Sequence, residues 1–544
     1  MTTLALLLLL LLLLFLHSLR RRSVPKTAAT TGKPIQTPRP PEPPGALPLI
    51  GHIHLLAGSK DPACRILGAM TDRYGPVFSL KFGIHDLLVV SGSEIVKDCL
   101  TTNDRTLATR AGIPAGKYMG YDHAVFAVAP YGAYWRRVSK MATLQLLSSH
   151  RIGKLAGVRL SELGHFVREL YGRSRDGGLE SANKSVNISE MLERLTFNTS
   201  LRMLVGKRFA EGAYAAEDGD ARRYKEAVEE AVRLSGVFVA SDALPWLEWL
   251  DLGGHVAAMK RSAKVIDEVV GKWLEEHDRS EEGGDVDGDS DFMDVMLSSL
   301  ADDAGDDASL SGHSTETIIK ATTLKFQIIM QTLTLTSSGS TSITVTWALS
   351  LLLNHPQAQK TAQHELDIHV GRTRWVQESD IPNLPYLRAI IKETLRLYPP
   401  GPLTGIREAM EDCTIGGYRV SKGTRVVINI WKLHRDPKVW GDPASFRPER
   451  FLTRHADVDV RPAAGQSSFE YLPFSYGRRS CPAVNLGMRV VQLILARVIQ
   501  GFDLATADGL AVDMAEGQGV ALPKVKALEV VAAPRMGSEM YSFC

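Results

Sequence analysis

Helical periodicity dominates the chain. The run Val484–Gln500 carries apolar side chains every three or four positions, which predicts a buried amphipathic helix. Thr315–Asn354 is apolar on nearly all sides, and we expect it to form a long core helix that ends before Pro356. Tyr224–Ser235 and Val256–His277 also show helical spacing. These patterns predict a body made mainly of α-helices.

Extended segments are few and short. Val77–Leu80 and Leu87–Val90 alternate or run apolar on either side of Gly83, which predicts a β-hairpin. Glu281–Asp291 is acidic and glycine-rich, and we expect a solvated loop there because it has little apolar content. The whole pattern favours an α+β protein that is mainly α with small β-sheets.

The amino-terminal stretch is a candidate membrane anchor. Leu4–Leu16 is almost pure leucine, and Arg20–Arg22 follows it directly. Counted as Thr2–Leu19, the stretch is about long enough to span a slightly compressed bilayer. A cleaved secretory signal would carry its positive charge before the apolar core rather than after it. We therefore expect residues 1–22 to be an uncleaved single-pass anchor, with the rest of the chain in the cytosol.

A proline-rich segment separates this stretch from the body. Residues 23–48 are rich in Pro, Thr and Gly, which predicts a stiff extended spacer rather than a helix. It is either a hinge that holds the body off the membrane or a plain linker. We expect residues 49–544 to form a single catalytic domain.

Composition narrows the class of protein. The 544 residues are 44% hydrophobic and 23% charged, which suits a globular protein with a large core. A formal net charge of only +2 gives no general affinity for nucleic acid. The five cysteines are dispersed, with no Cys-x-x-Cys pair, which favours a reducing compartment over a disulfide framework.

The candidate chemistry lies just before the helix Val484–Gln500. Cys481 stands at a loop-to-helix junction, where the helix dipole and two neighbouring arginines should favour its thiolate, the axial ligand that an iron porphyrin needs. Gly477 would let the backbone pass close to a flat cofactor, Arg479 could meet a propionate, and Phe474 could cover the proximal face. The alternative is an ordinary buried cysteine at the start of a helix.

The segment from Phe474 to Ala483 resembles the haem-binding loop of the cytochromes P450, Phe-x-x-Gly-x-Arg-x-Cys-x-Gly, with Ala483 in place of the last glycine. The resemblance covers the whole chain and is closest to plant microsomal members of specialised metabolism. It implies the cytochrome P450 fold, a triangular helical body around a buried haem b. It also implies an endoplasmic reticulum membrane location and NADPH electrons delivered by a flavoprotein, NADPH–cytochrome P450 reductase, docking near Arg478.

The resemblance assigns further residues. Trp135 matches a tryptophan that reaches the propionates in the family. Four positions later the family has a basic residue, whereas this chain has Ser139. Lys140, Arg136 or Arg137 could replace that base, and the sequence leaves the choice open. The remaining assignments are Arg407 as a propionate contact, a structural triad of Glu393, Arg396 and Arg450, and a substrate pocket lined by Ser337, Leu403, Thr404, Ile406 and Val520. Ser379–Leu397 resembles the helix that carries the first two triad residues.

The long helix should cross the distal side of the haem. There the family places an acid and an alcohol that deliver protons to the reaction. In this chain Gly339 occupies the acid position and Ser340 the alcohol position, with Thr341 beside it. We take Ser340 and Thr341 as the catalytic candidates.

Three functions follow from the resemblance. The first is a monooxygenase that oxidises a lipophilic alkaloid, terpenoid or phenolic. Because the relay acid is missing, the second is a haem-thiolate enzyme that catalyses oxidative coupling, cyclisation or rearrangement without net oxygen insertion. The third is a haem-binding sensor or carrier without turnover.

Overall fold

The computed structural model describes residues 37–542, apart from 57, 176–184, 210–218, 282–338 and 462–468. Within these ranges the protein is mainly helical. The α-helices, in chain order, are α1 (Ala63–Tyr74), α2 (Ser93–Leu100), α3 (Pro114–Tyr118), α4 (Ala133–Met141), α5 (Ser149–Lys154), α6 (Ala156–Arg175), α7 (Ile188–Val205), α8 (Gly219–Ser235), α9 (Ala240–Ala243), α10 (His255–Glu281), α11 (339–354), α12 (Pro356–His369), α13 (Pro385–Leu397), α14 (Ile430–Leu433), α15 (Val484–Gly501) and α16 (Ser538–Ser542).

The strands form three small sheets. They are β1 (Val77–Phe82), β2 (His85–Val90), β3 (Thr109–Arg110), β4 (Val186–Asn187), β5 (Arg407–Glu408), β6 (Cys413–Ile415), β7 (Tyr418–Val420), β8 (Arg425–Ile428), β9 (Phe502–Ala505) and β10 (Glu529–Pro534). The largest sheet has the order β1-β2-β8-β5-β3, the second has the order β4-β10-β9, and β6 pairs with β7. The mainly α architecture with small sheets is the one the sequence predicts.

Helix α15 lies in the main hydrophobic core. Its apolar face packs with that of α13 and with residues from α6, α7, α11 and α12, and Leu495, Ala496 and Val498 have no exposed surface. This burial stabilises a helix directly after the loop that carries Cys481. The helical prediction for Val484–Gln500 is confirmed, as are those for Tyr224–Ser235 and Val256–His277, which lie within α8 and α10.

The predicted hairpin is also present. Strands β1 and β2 pair antiparallel from Val77 with Val90 to Phe82 with His85, and Gly83 in the turn has a φ of 59°. Glycine is suited to this left-handed conformation because it has no Cβ. Strand β2 then pairs in parallel with β8, so the hairpin joins the sheet that carries Arg407 on β5.

The single helix expected over Ser379–Leu397 is divided in two. A 3₁₀ turn covers Glu378–Asn383, and α13 begins only at Pro385. Proline lacks the N–H that a continuous helix would use and restricts the residue before it, so Pro382 and Pro385 prevent one uninterrupted helix. All side chains of α13 after Arg388 are buried.

The described end of the proline-rich segment lies against the sheets. The backbone N–H of Ser79 donates to Pro41 O at 2.8 Å, and that of Arg419 donates to Pro38 O at 2.9 Å. His52 bonds Pro43 O through Nε2, at 2.8 Å. Residues 37–43, the part of the segment before the bend at Pro44 that the structure describes, contain no helix, and residues 38–43 are hydrogen-bonded to the body.

Several predictions fall outside the described residues. The candidate anchor 1–22, the loop Glu281–Asp291 and most of Thr315–Asn354 lie there, while 339–354 is helical. Among the residues that the structure describes, no helix is long and apolar enough to cross a membrane. The domain limits therefore stay predictions.

Candidate functional site

The loop before α15 is shaped by an unexpected neighbour, Asp104. Gly477 has a φ of +75°, and a Cβ there would lie 2.3 Å from Asp104 Oδ1. Asp104 accepts hydrogen bonds from the backbone N–H of Arg478 at 3.1 Å and from its Nη1 at 2.6 Å. The backbone angle and the closeness of Asp104 both require glycine at 477, and the approach to a cofactor expected above stays a prediction.

Cys481 is held by the backbone of the same loop. Its N–H donates to Phe474 O at 3.0 Å. Burial raises the pKa of its thiol, while the backbone N–H of Ala483 acts in the opposite direction. Arg478 is paired with Asp104 and Arg479 with backbone carbonyls, and the thiolate expected for an iron-bound Cys481 stays a prediction. A coordinated metal ion would itself deprotonate the thiol.

A cavity of about 460 Å³ opens in front of Cys481. Most predicted site residues line it: Cys481, Phe474, Arg479, Trp135, Arg407, Ser340, Thr341, Leu403, Thr404 and Val520. Ile406 and Gly477 do not appear among its lining residues, and Ser337 lies outside the described part of the chain. The wall is largely apolar, which suits a lipophilic ligand.

Arginine side chains supply the charge of this cavity. Arg479 lies over the Trp135 ring, 4.4 Å from its centroid, and donates to Ala108 O at 2.6 Å and to Phe126 O at 3.0 Å. Trp135 Nε1 donates to the same Phe126 carbonyl at 3.0 Å. Arg407 is 1% exposed, and its Nη1 lies 3.7 Å from Asp104 Oδ1. Its Nε has no hydrogen-bond partner among the residues that the structure describes.

Arg110 is a further arginine on the wall of the cavity, and the sequence analysis missed it. It lines the cavity and donates to Ala127 O at 3.2 Å and to Gly405 O. Burial and repulsion from Arg407 and Arg479 lower its pKa to about 9. No motif marked it in the sequence.

Comparison with known proteins identifies this arrangement. A family profile described as Cytochrome P450 matches residues 40–528. The chain belongs to the cytochrome P450 family. It is 49% identical to dimethylnonatriene synthase of Arabidopsis thaliana over 502 residues, which cover 92% of both chains. It is 45% identical to flavonoid-6-hydroxylase of Mentha piperita over 92% of this chain and 94% of that one.

Solved structures agree on the fold. A zebra fish cytochrome P450 determined with abiraterone superposes with a TM-score of 0.69, at 25% sequence identity, over 88% of this chain and all of the other. The predicted fold is confirmed, and the protein is a cytochrome P450 oxidoreductase with a haem cofactor, a small substrate and a redox partner.

The residues of the cavity fit a haem. Its described lining contains four arginines, at positions 110, 407, 478 and 479, and no carboxylate. Asp104, behind the wall, pairs with two of them, Arg407 and Arg478. Arg110 and Arg479, for which the described residues offer no carboxylate partner, together with the Nε of Arg407, are suited to the two propionates of a haem.

The structure narrows the choice left open at Ser139. Ser139 lines the cavity, whereas Arg136, Arg137 and Lys140 are exposed and do not line it. Arg110, on β3, lines the same cavity and could supply the cation that Ser139 lacks.

Replacing Arg110 by glutamine should weaken haem retention without weakening the haem-free fold. We expect haem to dissociate about tenfold faster, because a charge-assisted hydrogen bond is lost. The haem-free protein should change little in stability, since relief of the repulsion from Arg407 and Arg479 offsets the loss of the hydrogen bonds to Ala127 O and Gly405 O. Haem transfer to apomyoglobin measures the first quantity and denaturant unfolding the second. Arg136→Gln is the exposed control, and equal rates for both variants would contradict the assignment.

The predicted triad is brought together behind the loop. Glu393 bonds Arg396 twice, from Arg396 Nε at 2.7 Å and from Nη2 at 2.8 Å, and Arg450 Nε lies 3.3 Å from Glu393 Oε1. The side chains of Glu393 and Arg396 are fully buried, and that of Arg450 is 11% exposed. None of the three lines the cavity, which is consistent with a structural role.

On α11, hydroxyl groups bond back to the helix. Ser342 Oγ donates to Gly339 O at 3.0 Å, and Thr344 Oγ1 donates to Ser340 O at 2.8 Å. Ser340, Thr341 and Thr344 nevertheless line the cavity. Among the residues that the structure describes, a Cβ added at Gly339 would meet no heavy atom within 4 Å.

Proposed function

We propose that this cytochrome P450 binds haem b through Cys481 and hydroxylates a lipophilic, ring-containing plant metabolite. The observation that carries the proposal is the partly buried cysteine on the wall of a largely apolar cavity that four arginines flank. Relatives named as hydroxylases and synthases of plant metabolites support a monooxygenase of specialised metabolism. The alternative of coupling or rearrangement without oxygen insertion is not favoured.

When bound, haem supplies the activation of dioxygen that oxidises the substrate. The protein holds and orients the reacting partners. Cys481 would bind the iron, and Arg110, Arg407 and Arg479 would hold the propionates. Leu403, Thr404 and Val520 would contact the substrate, and the apolar wall would keep water away from it. Ser340 would offer a hydroxyl for proton transfer.

Electrons would come from NADPH through a flavoprotein reductase. Arg478 is suited to the contact because its side chain is 43% exposed on the Cys481 loop, although Asp104 balances part of its charge. We propose that an acidic surface of the reductase docks there. Turnover with labelled dioxygen is therefore measured in the presence of the reductase.

We also propose that the protein resides on the endoplasmic reticulum membrane. Support comes from exposed apolar side chains around the 3₁₀ turn Pro245–Leu250 and the β1–β2 turn, where Ile84 N donates to Ala243 O. They are Leu47, Ile84, Phe238, Trp246, Trp249, Leu250 and Leu252. Exposed tryptophans are typical of membrane interfaces. Recovery of the expressed protein in the soluble fraction, without any carbonate wash, would contradict this location.

Labelled dioxygen tests the function directly. Microsomes containing the protein and a plant reductase are incubated with NADPH, ¹⁸O₂ and a panel of plant phenolics, terpenoids and alkaloids. We expect a product that carries one label. A product without label would support coupling or rearrangement, and no substrate-dependent NADPH consumption across the panel would support a non-catalytic haem protein.

Restoring an acid on α11 should improve proton delivery. We expect Gly339→Asp to raise the fraction of NADPH recovered as product, with coupled turnover up to about tenfold higher, because general acids accelerate such steps strongly. A Cβ at Gly339 meets no atom of the described residues within 4 Å. Gly339→Asn, of equal size but without a titratable group, is the matched control. Equal effects of the two substitutions, or none, would show that the acid is not limiting.

A further inference from the structure

His434 occupies a fully buried position between the triad and the Cys481 loop. It follows α14 directly and has no exposed surface. Its backbone N–H donates to Ile430 O at 2.9 Å, and its carbonyl accepts from Arg396 Nη1 at 2.9 Å. The backbone of His434 is thereby attached to the arginine of the triad.

The imidazole reaches the other way. The backbone N–H of Leu472 donates to His434 Nε2 at 2.8 Å, and the ring stacks on Tyr471 at a centroid distance of 5.1 Å. Burial and the charges of Arg396 and Arg435 lower the pKa of His434 to about 3. The ring is therefore neutral at physiological pH, as an acceptor must be. Leu472 is fully buried, so water cannot replace this acceptor.

From Leu472 the contacts continue to Cys481. Leu472 O accepts from the N–H of Ser475 at 3.1 Å, and Phe474 O accepts from the N–H of Cys481 at 3.0 Å. Between them, Ser475 has a φ of 59°, a left-handed conformation that residues with a Cβ seldom adopt. A turn of this kind persists only when its surroundings fix it.

We propose that His434 is a positioning residue for Cys481, which holds the first turn of the cysteine loop through Leu472 and joins it to Arg396. The proposal rests on the assignment of Cys481 as the haem ligand. In this arrangement the backbone of His434 bonds the triad and its imidazole bonds the loop that carries Cys481. The plain alternative is a core histidine that only fills space against Tyr471.

Two amide substitutions separate these roles. Glutamine places its carbonyl oxygen near the position of Nε2, whereas asparagine is one methylene shorter and leaves the Leu472 N–H without a partner. The readout is the absorption spectrum of the reduced carbon monoxide complex of the full-length protein, followed as its thiolate band is lost over time. A thiolate band in the wild type tests the ligand assignment itself, independently of His434.

We expect His434→Gln to keep the wild-type band and His434→Asn to lose it about tenfold faster, because a buried donor left unpaired is costly. Tyr471→Phe, which removes only the bond from its hydroxyl to Lys392 O, is the control and should keep the band. Equal rates for the glutamine and asparagine variants would overturn the proposal. So would a loss in Tyr471→Phe as fast as in His434→Asn.

If His434→Asn yields no haem protein at all, the spectrum of His434→Gln tests the proposal instead. A normal band in His434→Gln then supports the need for an acceptor at this reach. Loss of the band from both variants, with Tyr471→Phe intact, would show that ring packing rather than the bond to Leu472 is required, and would overturn the proposal.

Discussion

Cys481→Ser is expected to remove turnover to below detection and to abolish the thiolate band of the reduced carbon monoxide complex. Serine is a poor metal ligand because its hydroxyl does not ionise near neutral pH, whereas a thiol is deprotonated by the metal that it binds. The fold should survive the change. Burial keeps the unliganded thiol neutral, so a neutral hydroxyl of similar size replaces it.

Absorption spectra and thermal unfolding of the purified protein measure the two effects separately. Cys413→Ser is the matched control, since that cysteine is also free but lies on β6, away from the cavity. A thiolate band that persists in Cys481→Ser would exclude this residue as the ligand. Loss of the band in Cys413→Ser would show that the effect is not specific.

Glu393→Ala is expected to destabilise the protein by about 3–5 kcal/mol, because it leaves buried guanidinium groups without their carboxylate partner. Arg396 would lose both of its carboxylate bonds, and Arg450 its 3.3 Å contact. Against a typical total stability of about 5–15 kcal/mol, such a loss leaves little folded protein at elevated temperature. Denaturant unfolding, followed by haem absorbance and by circular dichroism, measures it.

The control is an exposed ion pair. Asp412 and Arg419 lie 3.1 Å apart with both side chains more than half exposed, so Asp412→Ala should leave stability close to that of the wild type. A loss in Glu393→Ala no greater than in Asp412→Ala would contradict the structural role of the triad.

The pattern of apolar residues predicted those helices and strands that it specifies within a short stretch of sequence. The apolar period of Val484–Gln500 and the alternation around Gly83 each specify one element, and both are present. The error over Ser379–Leu397 arose from giving apolar spacing more weight than Pro382 and Pro385. The mainly helical class followed from the same spacing.

The site was predictable only where a motif is contiguous. The loop motif marked Cys481, Phe474 and Arg479, all of which line the cavity. Asp104 is 374 positions before Arg478, and Arg110 is 295 positions before Gly405, so no spacing along the chain could pair them. The burial that raises the pKa of the Cys481 thiol in the haem-free protein likewise depends on the assembled fold rather than on neighbouring residues.

The fastening of residues 38–43 sets a practical limit on shortening the chain. Pro38, Pro41 and Pro43 supply carbonyl acceptors to Arg419, Ser79 and His52, two of them within β-strands. A version trimmed for crystallisation should therefore begin no later than residue 37. Starting at 49, where composition alone would place the cut, would strip two strands of backbone partners and expose their edges to self-association.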